Sequence, residues 1–559
     1  MLMDSIERVR ALPRLAEIAH VMARHGMQDL VHAAGLHHLL DEAGSLLGWK
    51  ADPAMEGLPL PERLRFALEA LGPAFVKLGQ VLASRVDLIG PEWIASLDKL
   101  HDRATPVPFE AIEAQLLADL GKPVAEVFGA FETDARAAGS IAQVHHAVLL
   151  DGTEVAVKVR RPGVESVIAA DLVLLETLAG WWEEQNALAR RYQPAELVRQ
   201  LRKSLAREVD FAAEGRAQER FALNFAGDAG VLVPGVHAAL TRQSLLVMDW
   251  VDGIPATDLA AVDAAGLDRE VLAARGADAV LKMVLVDGLF HADPHPGNVF
   301  FLAGDRVALI DFGMVGWLSA KRRDELIDLL AAMAARDAEA MRDVLVAWTD
   351  GHSVSADGLA EDLGRMLHLY EHAALREINL ATLLGEIAAI MRERHLVLPA
   401  DLALLFKALI TLEGLGTRLV PRFRLIERVT PFVERLAAER WAPAHAAARM
   451  GRMARELGRA LRAAPRLVEA LARRFTDDGV AIRFEVREIE DFGRHMERSV
   501  NRLTIGLVTA ALILGSSILL ALSSPGTSLL AWLLGAAGVV IAFANSIWLM
   551  VTIHRSRRA

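Results

Sequence analysis

A chain of 559 residues, 53% hydrophobic and with a mean hydropathy of +0.28, has room for more than one core and is apolar enough to predict a membrane segment. Its net charge of −11 argues against a nucleic-acid partner, and the absence of cysteine excludes disulfides and thiolate metal sites.

Residues 1–25 are charged throughout, so no signal peptide is expected. They read as an amphipathic helix with Leu12, Leu15, Ile18 and Val21 or Met22 on one face, and the acids Asp4, Glu7 and Glu17 argue against a transit peptide. Residues 60–100 are helical in pattern and carry Lys77-Leu78-Gly79-Gln80. From spacing alone, Lys77 is a solvated lysine on an amphipathic helix.

Ala137-Ala138-Gly139-Ser140 is a small-residue turn entering a strand that runs to Leu149. Asp151-Gly152 then predicts a hairpin, and the return strand reads Val-Ala-Val-Lys through Lys158. A small-residue loop over a hairpin brings backbone N–H groups close to phosphates, and a lysine on the return strand reaches the same phosphates. That lysine needs a helix glutamate to orient it, and in the helical stretch 165–225 both Glu208 and Glu214 qualify. Leu245–Gly253, with Met248 and Val251, is a strand running into a Gly turn, suited to meet an adenine.

Phosphoryl transfer needs a carboxylate to take or orient a proton, an amide to hold a metal, and a second carboxylate to hold metal against the phosphates. Asp293 and Asn298 stand five residues apart in His291-Ala292-Asp293-Pro294-His295-Pro296-Gly297-Asn298, and Asp311-Phe312-Gly313 follows an apolar strand. Pro294 and Pro296 stiffen the loop around His295. The rival reading of His291, Asp293 and His295 as a hydrolase metal site lacks further clustered ligands. No Ala-Pro-Glu follows, and helix resumes at Ala320–Ala335, so a long activation segment is not expected. Helices continue through 440, with Pro399 starting an apolar one over Leu402–Leu419.

Arg452, Arg455, Arg459, Arg462 and Arg466 share one face of a predicted basic helix over 449–475, which suits an anionic membrane surface. Val480–Val486 alternates as a short strand. Leu503–Leu522 and Leu529–Ile553 are each long enough to span a bilayer, with Ser523–Thr527 as the turn between them. Arginines on both outer flanks predict a hairpin with both ends in the cytoplasm.

These motifs together resemble the UbiB/AarF family of atypical protein-kinase-like proteins, over almost the whole chain. The carriers are K-x-G-Q at Lys77–Gln80, the alanine-rich loop at 137–140, V-A-V-K at Lys158, E-x-D at Glu208–Asp210, D-P-H-P-G-N at 293–298 and D-F-G at 311–313. The resemblance implies an α+β, bilobal kinase-like fold with a small β-rich N-lobe and a helical C-lobe. The implied divisions are a helical extension over 1–125, the N-lobe over 126–255 and the C-lobe over 256–440, then a basic linker over 441–500 and a transmembrane hairpin over 501–559. It also implies ATP and Mg²⁺ as cofactors. Ala137, Ala138, Gly139, Ser140, Lys158, Met248 and Val251 would then line the nucleotide, with Lys158 paired to Glu214. Asp293 would be catalytic, and Asn298 and Asp311 metal-holding. Lys77, Gln80, Glu208 and Asp210 become regulatory residues of an extension covering the usual protein-substrate site.

The implied function is that of a membrane ATPase supporting ubiquinone biosynthesis, at the cytoplasmic face of a bacterial inner membrane. Its expected partners are anionic lipids and quinone-pathway enzymes or lipid precursors, and a homo-oligomer stays open. A lipid or small-molecule phosphotransferase and a non-catalytic nucleotide-binding regulator are the alternatives. No flavin or dinucleotide fingerprint supports a hydroxylase. Two departures stand out: Gly139 replaces the alanine of many relatives and frees the backbone there, and His101-Asp102 replaces Gln-Asp.

Overall fold

The computed structural model describes residues 14–27, 57–100, 104–185, 193–349, 358–370 and 379–429, with a few more at 52–55, 432–433, 516 and 537. The chain divides into units 1–446 and 447–559, and the fold below is that of the first. Leu12, His101-Asp102, the basic helix of 449–475, the strand of 480–486 and the apolar runs of 503–522 and 529–553 lie outside the described residues. Among the described residues, no helix is long and apolar enough to cross a membrane.

The N-lobe is a five-stranded antiparallel sheet. Its strands are β1 (Phe128–Phe131), β2 (Ala137–Ala138), β3 (Ala142–Leu149), β4 (Glu154–Arg160) and β6 (Leu245–Asp249), in the order β1-β3-β4-β6 with β2 on β3. Gly152 turns the predicted hairpin with a φ of 89°, a conformation glycine adopts freely. Strand alternation sorts β4 into two faces. Val155, Val157 and Val159 pack outward with Ile112 and Leu116 of a covering helix, while Ala156 and Lys158 face inward beside Phe211, Leu246 and Met248.

The C-lobe carries strands β5 (Val231–Leu232), β7 (Ile254–Pro255), β9 (Val299–Leu302) and β10 (Arg306–Leu309) in a sheet ordered β5-β10-β9-β7, and a separate pair β8 (Leu289–His291) and β11 (Val315–Trp317). Helix resumes at Ala320–Ala335, capped by Ser319, so only a few residues separate the Asp-Phe-Gly from it, as expected. Pro399 starts the predicted apolar helix, Ala400–Leu419, which is the spine of the lobe's core.

The longer helices before and between the N-lobe strands are α1 (Leu60–Leu71), α2 (Pro73–Ala83), α3 (Pro91–Leu97), α4 (Phe109–Leu120), α5 (Val164–Gln185), α6 (Pro194–Glu208) and α7 (Phe211–Phe225). The extension does not close its core alone. Leu68, Leu71, Phe75 and Leu97 bury against Val164, Ile168 and Leu172 of α5 and Leu201 and Leu205 of α6. Ile18, Val21 and Met22, on the helix at 14–24, cover the same cluster, which bears out that part of the amphipathic reading.

The extension is also fastened to the C-lobe. Arg85 and Asp87 are a buried pair (2.6 Å), and both reach Leu398: the Arg85 guanidinium donates to its carbonyl and its N–H donates to Asp87 (2.8 Å). Arg392 donates to the carbonyls of Val86 and Ile89. Asp87→Ala leaves the buried Arg85 guanidinium without its counter-charge and the buried Leu398 N–H without an acceptor, so it is expected to cost about 3–5 kcal/mol. The urea midpoint of the full chain measures this, and a loss within experimental error would mean the fastening is unimportant.

Candidate active site

Two short ladders bring the distant acidic motifs together. β8, which delivers His291, pairs antiparallel with β11, which leaves the Asp-Phe-Gly, and the β9–β10 hairpin spans the sequence between. The Ile310 N–H donates to Asn298 carbonyl (3.0 Å), so the two loops are stitched directly. Within the first loop the Asn298 amide donates to the Asp293 carbonyl (3.2 Å), leaving its amide oxygen to meet a ligand. Asp311 has a φ of 61°, in the left-handed region that a non-glycine residue occupies at a cost, and such strain gathers at functional sites. Its Oδ1 accepts from the Gly313 N–H (3.1 Å), which repays part of that cost.

His291 is positional. Its Nδ1 accepts from the Asp293 N–H and its Nε2 lies 3.1 Å from the Ile310 carbonyl, to which it donates. Burial pushes its pKa down, so the ring is neutral, and both nitrogens are spent. The ring packs at a tilt against Phe312, which packs in turn against Phe221 of α7 (4.8 Å). The hydrolase-metal reading therefore fails. Among the described residues no group of three or more acids and histidines is placed to hold a metal.

Lys158 lies 2.8 and 3.0 Å from the two Glu214 oxygens and 3.7 Å from Asp311. Burial works against its charge, but Asp311 and Glu214 outweigh that and hold the ammonium above its ordinary range. Burial raises Glu214 to about 7 against the pull of Lys158, with Asp311 and Glu208 adding repulsion. Asp311 falls to about 2, because Lys158 and the Gly313 N–H overcome its own burial. The site thus holds a charged lysine and an ionised Asp311. Asn298 and Asp311 offer hard oxygen donors, a set that fits Mg²⁺.

Of the two glutamates that spacing leaves open, Glu214, the one the resemblance points to, takes Lys158, and Glu208 takes Lys77. Lys77 is buried and lies 2.5 Å from Glu208. Burial opposes its charge, yet Glu208, Asp293 and Asp311 together raise its pKa, so the extension delivers a cation into the same acidic field. This corrects the reading of Lys77 as solvated; spacing cannot see the helix that buries it. Asp210 caps α7 through the Ala213 N–H (3.1 Å), which sets Glu214 in the first turn. Gln80 reaches the Leu100 carbonyl (3.4 Å). A Cβ on Gly79 would fall 2.2 Å from Leu100 and 2.9 Å from Leu68, so close packing accounts for the glycine of K-x-G-Q.

Ala137 and Ala138 form β2 rather than an open turn, and the Gly139 N–H donates to the Ala142 carbonyl (2.8 Å). Met248 is buried at the end of β6 beside Gln218, and Val251 follows in the half-buried link to β7. A polar cleft of about 510 Å³ lined by Asp228, Arg275, Asp278 and Arg306 shares no residue with this site.

Three family models match in order along the chain: the ABC1 atypical kinase-like domain over 99–345, the UbiB helical domain over 363–424 and the ABC1/UbiB kinase-like C-terminal domain over 487–555. A "Probable protein kinase UbiB" of Cellvibrio japonicus is 35% identical over 439 residues, covering 78% of this chain and 79% of that one. Its counterpart in Azotobacter vinelandii is 33% identical over 94% of this chain and 96% of its own. The chain belongs to the ABC1/UbiB family of atypical kinase-like proteins. Among solved structures, Rv3197 of Mycobacterium tuberculosis with erythromycin aligns at a TM-score of 0.39 and 21% identity, covering 71% of this chain and 99% of that one. The UbiB-family assignment and the lobes described above agree on a bilobal, kinase-like α+β fold.

Removing Glu208 leaves the Lys77 ammonium buried without its nearest counter-charge. Glu208→Leu is expected to cost about 3 kcal/mol, and Lys77→Met/Glu208→Leu to recover most of it. Thermal denaturation of the three variants measures the coupling; simple additivity would sink the pairing.

Proposed function

We propose that this protein is a membrane-anchored, Mg²⁺-dependent ATPase of the UbiB family that supports ubiquinone biosynthesis. The observation that carries the reading is the convergence of Lys158, Glu214, Asp293, Asn298 and Asp311 from four separate stretches of chain. An ammonium held charged by a buried glutamate suits the α- and β-phosphates of ATP. Asp293, in the loop that His291 stiffens, is the group to take the proton of an attacking water. The bond from γ-phosphorus to the bridging oxygen then breaks and ADP leaves. Held by Asn298 and Asp311, Mg²⁺ would supply neutralisation of phosphate charge. β2 and β3 cover the phosphates, and Met248 to Val251 face the adenine.

The apolar runs of 503–522 and 529–553, with arginine on their outer flanks, support an anchor in the bacterial inner membrane with the kinase-like unit on the cytoplasmic side. The Arg-rich stretch of 449–475 supports attraction to anionic lipid. The UbiB name of the relatives supports quinone-pathway enzymes or lipid precursors as partners.

Phosphate release from Mg-ATP by the full chain in anionic-lipid vesicles tests the reading. Turnover is expected to rise with anionic lipid and to fall on the order of a hundredfold in Asp311→Asn. Equal, negligible release from both proteins, with ATP still bound by the wild type, would replace the ATPase with a silent nucleotide-binding regulator.

A further inference from the structure

The polar cleft of about 510 Å³ takes no part in the chemistry of the nucleotide site. It is lined by the link from α7 to β5, the helix Arg269–Leu281, and the turn that joins β9 to β10. That turn presents the carbonyls of Ala303, Gly304 and Asp305, and two arginines take all of them. Arg306 donates from Nε to Ala303 (3.3 Å), and Arg275 donates from Nη1 to Gly304 (2.8 Å) and Asp305 (2.5 Å). Both guanidinium groups are therefore pinned to the same short piece of backbone.

These bonds leave most of each guanidinium unused. Neither arginine has a carboxylate partner among the described residues, and Nη2 of Arg275 and both terminal nitrogens of Arg306 meet no acceptor there. The acids of the lining do not fill the gap. Asp278 is neutralised by Arg428, which donates to both of its oxygens. Asp228 is exposed and has no cation among the described residues; its Oδ1 accepts from the Gly230 N–H (2.8 Å), and its Oδ2 accepts from none of them. Gly230 keeps the space between the two charges open, since a Cβ there would fall 3.2 Å from Arg275 Cδ and 3.3 Å from Asp228 Oδ1.

Arginine N–H groups fixed in place suit a phosphate, which accepts them in pairs. A carboxylate oxygen repels a bare anion but accepts from a hydroxyl. Ala229 and Val231 are the only apolar side chains on the lining, so an acyl chain finds no seat, and the volume is that of a small-molecule site. We propose that this cleft binds a small, water-soluble phosphate monoester that bears a hydroxyl, with the phosphate on Arg275 and Arg306 and the hydroxyl on Asp228. The proposal goes beyond the ATP-hydrolysing reading and does not rest on it. Its occupant bridges two elements that lead to the active site. α7, which carries Glu214, ends at Phe225 just before Asp228, and β10 starts at Arg306 and leads into Asp311. β5 and β10 already pair there, the Val307 N–H donating to the Gly230 carbonyl (2.9 Å), and the ligand adds a second tie across the same joint.

Isothermal titration of the full chain in neutral detergent tests the site, with sn-glycerol 3-phosphate and inorganic phosphate as probes. The ester is expected to bind saturably, more tightly than inorganic phosphate, and to do so with saturating Mg-ATP present. Arg306→Gln should weaken both probes on the order of tenfold, the loss of a hydrogen bond between charged groups. Glutamine keeps the stem of this exposed side chain and a donor for the Ala303 carbonyl, so the fold stays intact. Asp228→Asn should erase the preference for the ester, and amide exchange over residues 226–232 should slow when the ester binds. No saturable binding, displacement of the ester by ATP, or indifference to Arg306→Gln would overturn the proposal. So would a preference that survives Asp228→Asn, exchange that does not slow, or equal affinity for the two probes in the wild type, the mark of an adventitious ion only. Vesicles of phosphatidylglycerol that bind through Arg306, with no binding of the free ester, would give the cleft to a lipid headgroup and overturn it as well.

Discussion

A buried ammonium needs a counter-charge, and around Lys158 that need ties the lobes together. The strand that carries it belongs to the N-lobe sheet, Glu214 belongs to the helix beside that sheet, and Asp311 belongs to the C-lobe turn. Lys158 and Glu214 would each be expensive to bury alone, while Asp311 keeps about half of its side chain exposed. Together they settle as a charged lysine between two acids, and the strained Asp311 backbone is held where that charge can reach it. The row of tilted ring contacts Phe221–Phe312–His291 runs alongside and couples the position of α7 to the loop that carries Asp293.

The extension repeats this arrangement with a second pair. The buried Lys77 and the partly buried Glu208 lie beside the first set, and E-x-D links them through a joint of two residues between α6 and α7. Glu208 ends one helix and Asp210 caps the next, so one short sequence orients both glutamates. The consequence is a site with two lysines and several carboxylates in mutual reach. Shifting one of these charges shifts the proton affinity of the rest.

Membership in the ABC1/UbiB family and the internal geometry are separate lines of argument. The family models span the kinase-like region and the helical region after it, while distances place Lys158, Glu214 and Asp311 in contact without reference to any relative. The extension's shared core with α5 and α6 also explains why those helices interrupt the N-lobe between β4 and α7. They complete the extension's hydrophobic core, and without them Leu68, Phe75 and Leu97 would face water.

The sequence by itself determined the local pieces. The hairpin at Gly152, the alternation that turns Lys158 inward, the resumption of helix at Ala320 and the loop offsets of Asp293, Asn298 and Asp311 all follow from near-neighbour rules, and these rules act over a few residues. Tertiary structure decided every pairing across distance. It chose Glu214 over Glu208 for Lys158, buried a Lys77 that spacing leaves in solvent, and spent both nitrogens of His291 inside the fold. Charge partners tens to hundreds of residues apart leave no periodicity to read, because the energy that selects them exists only once burial has removed the water between them.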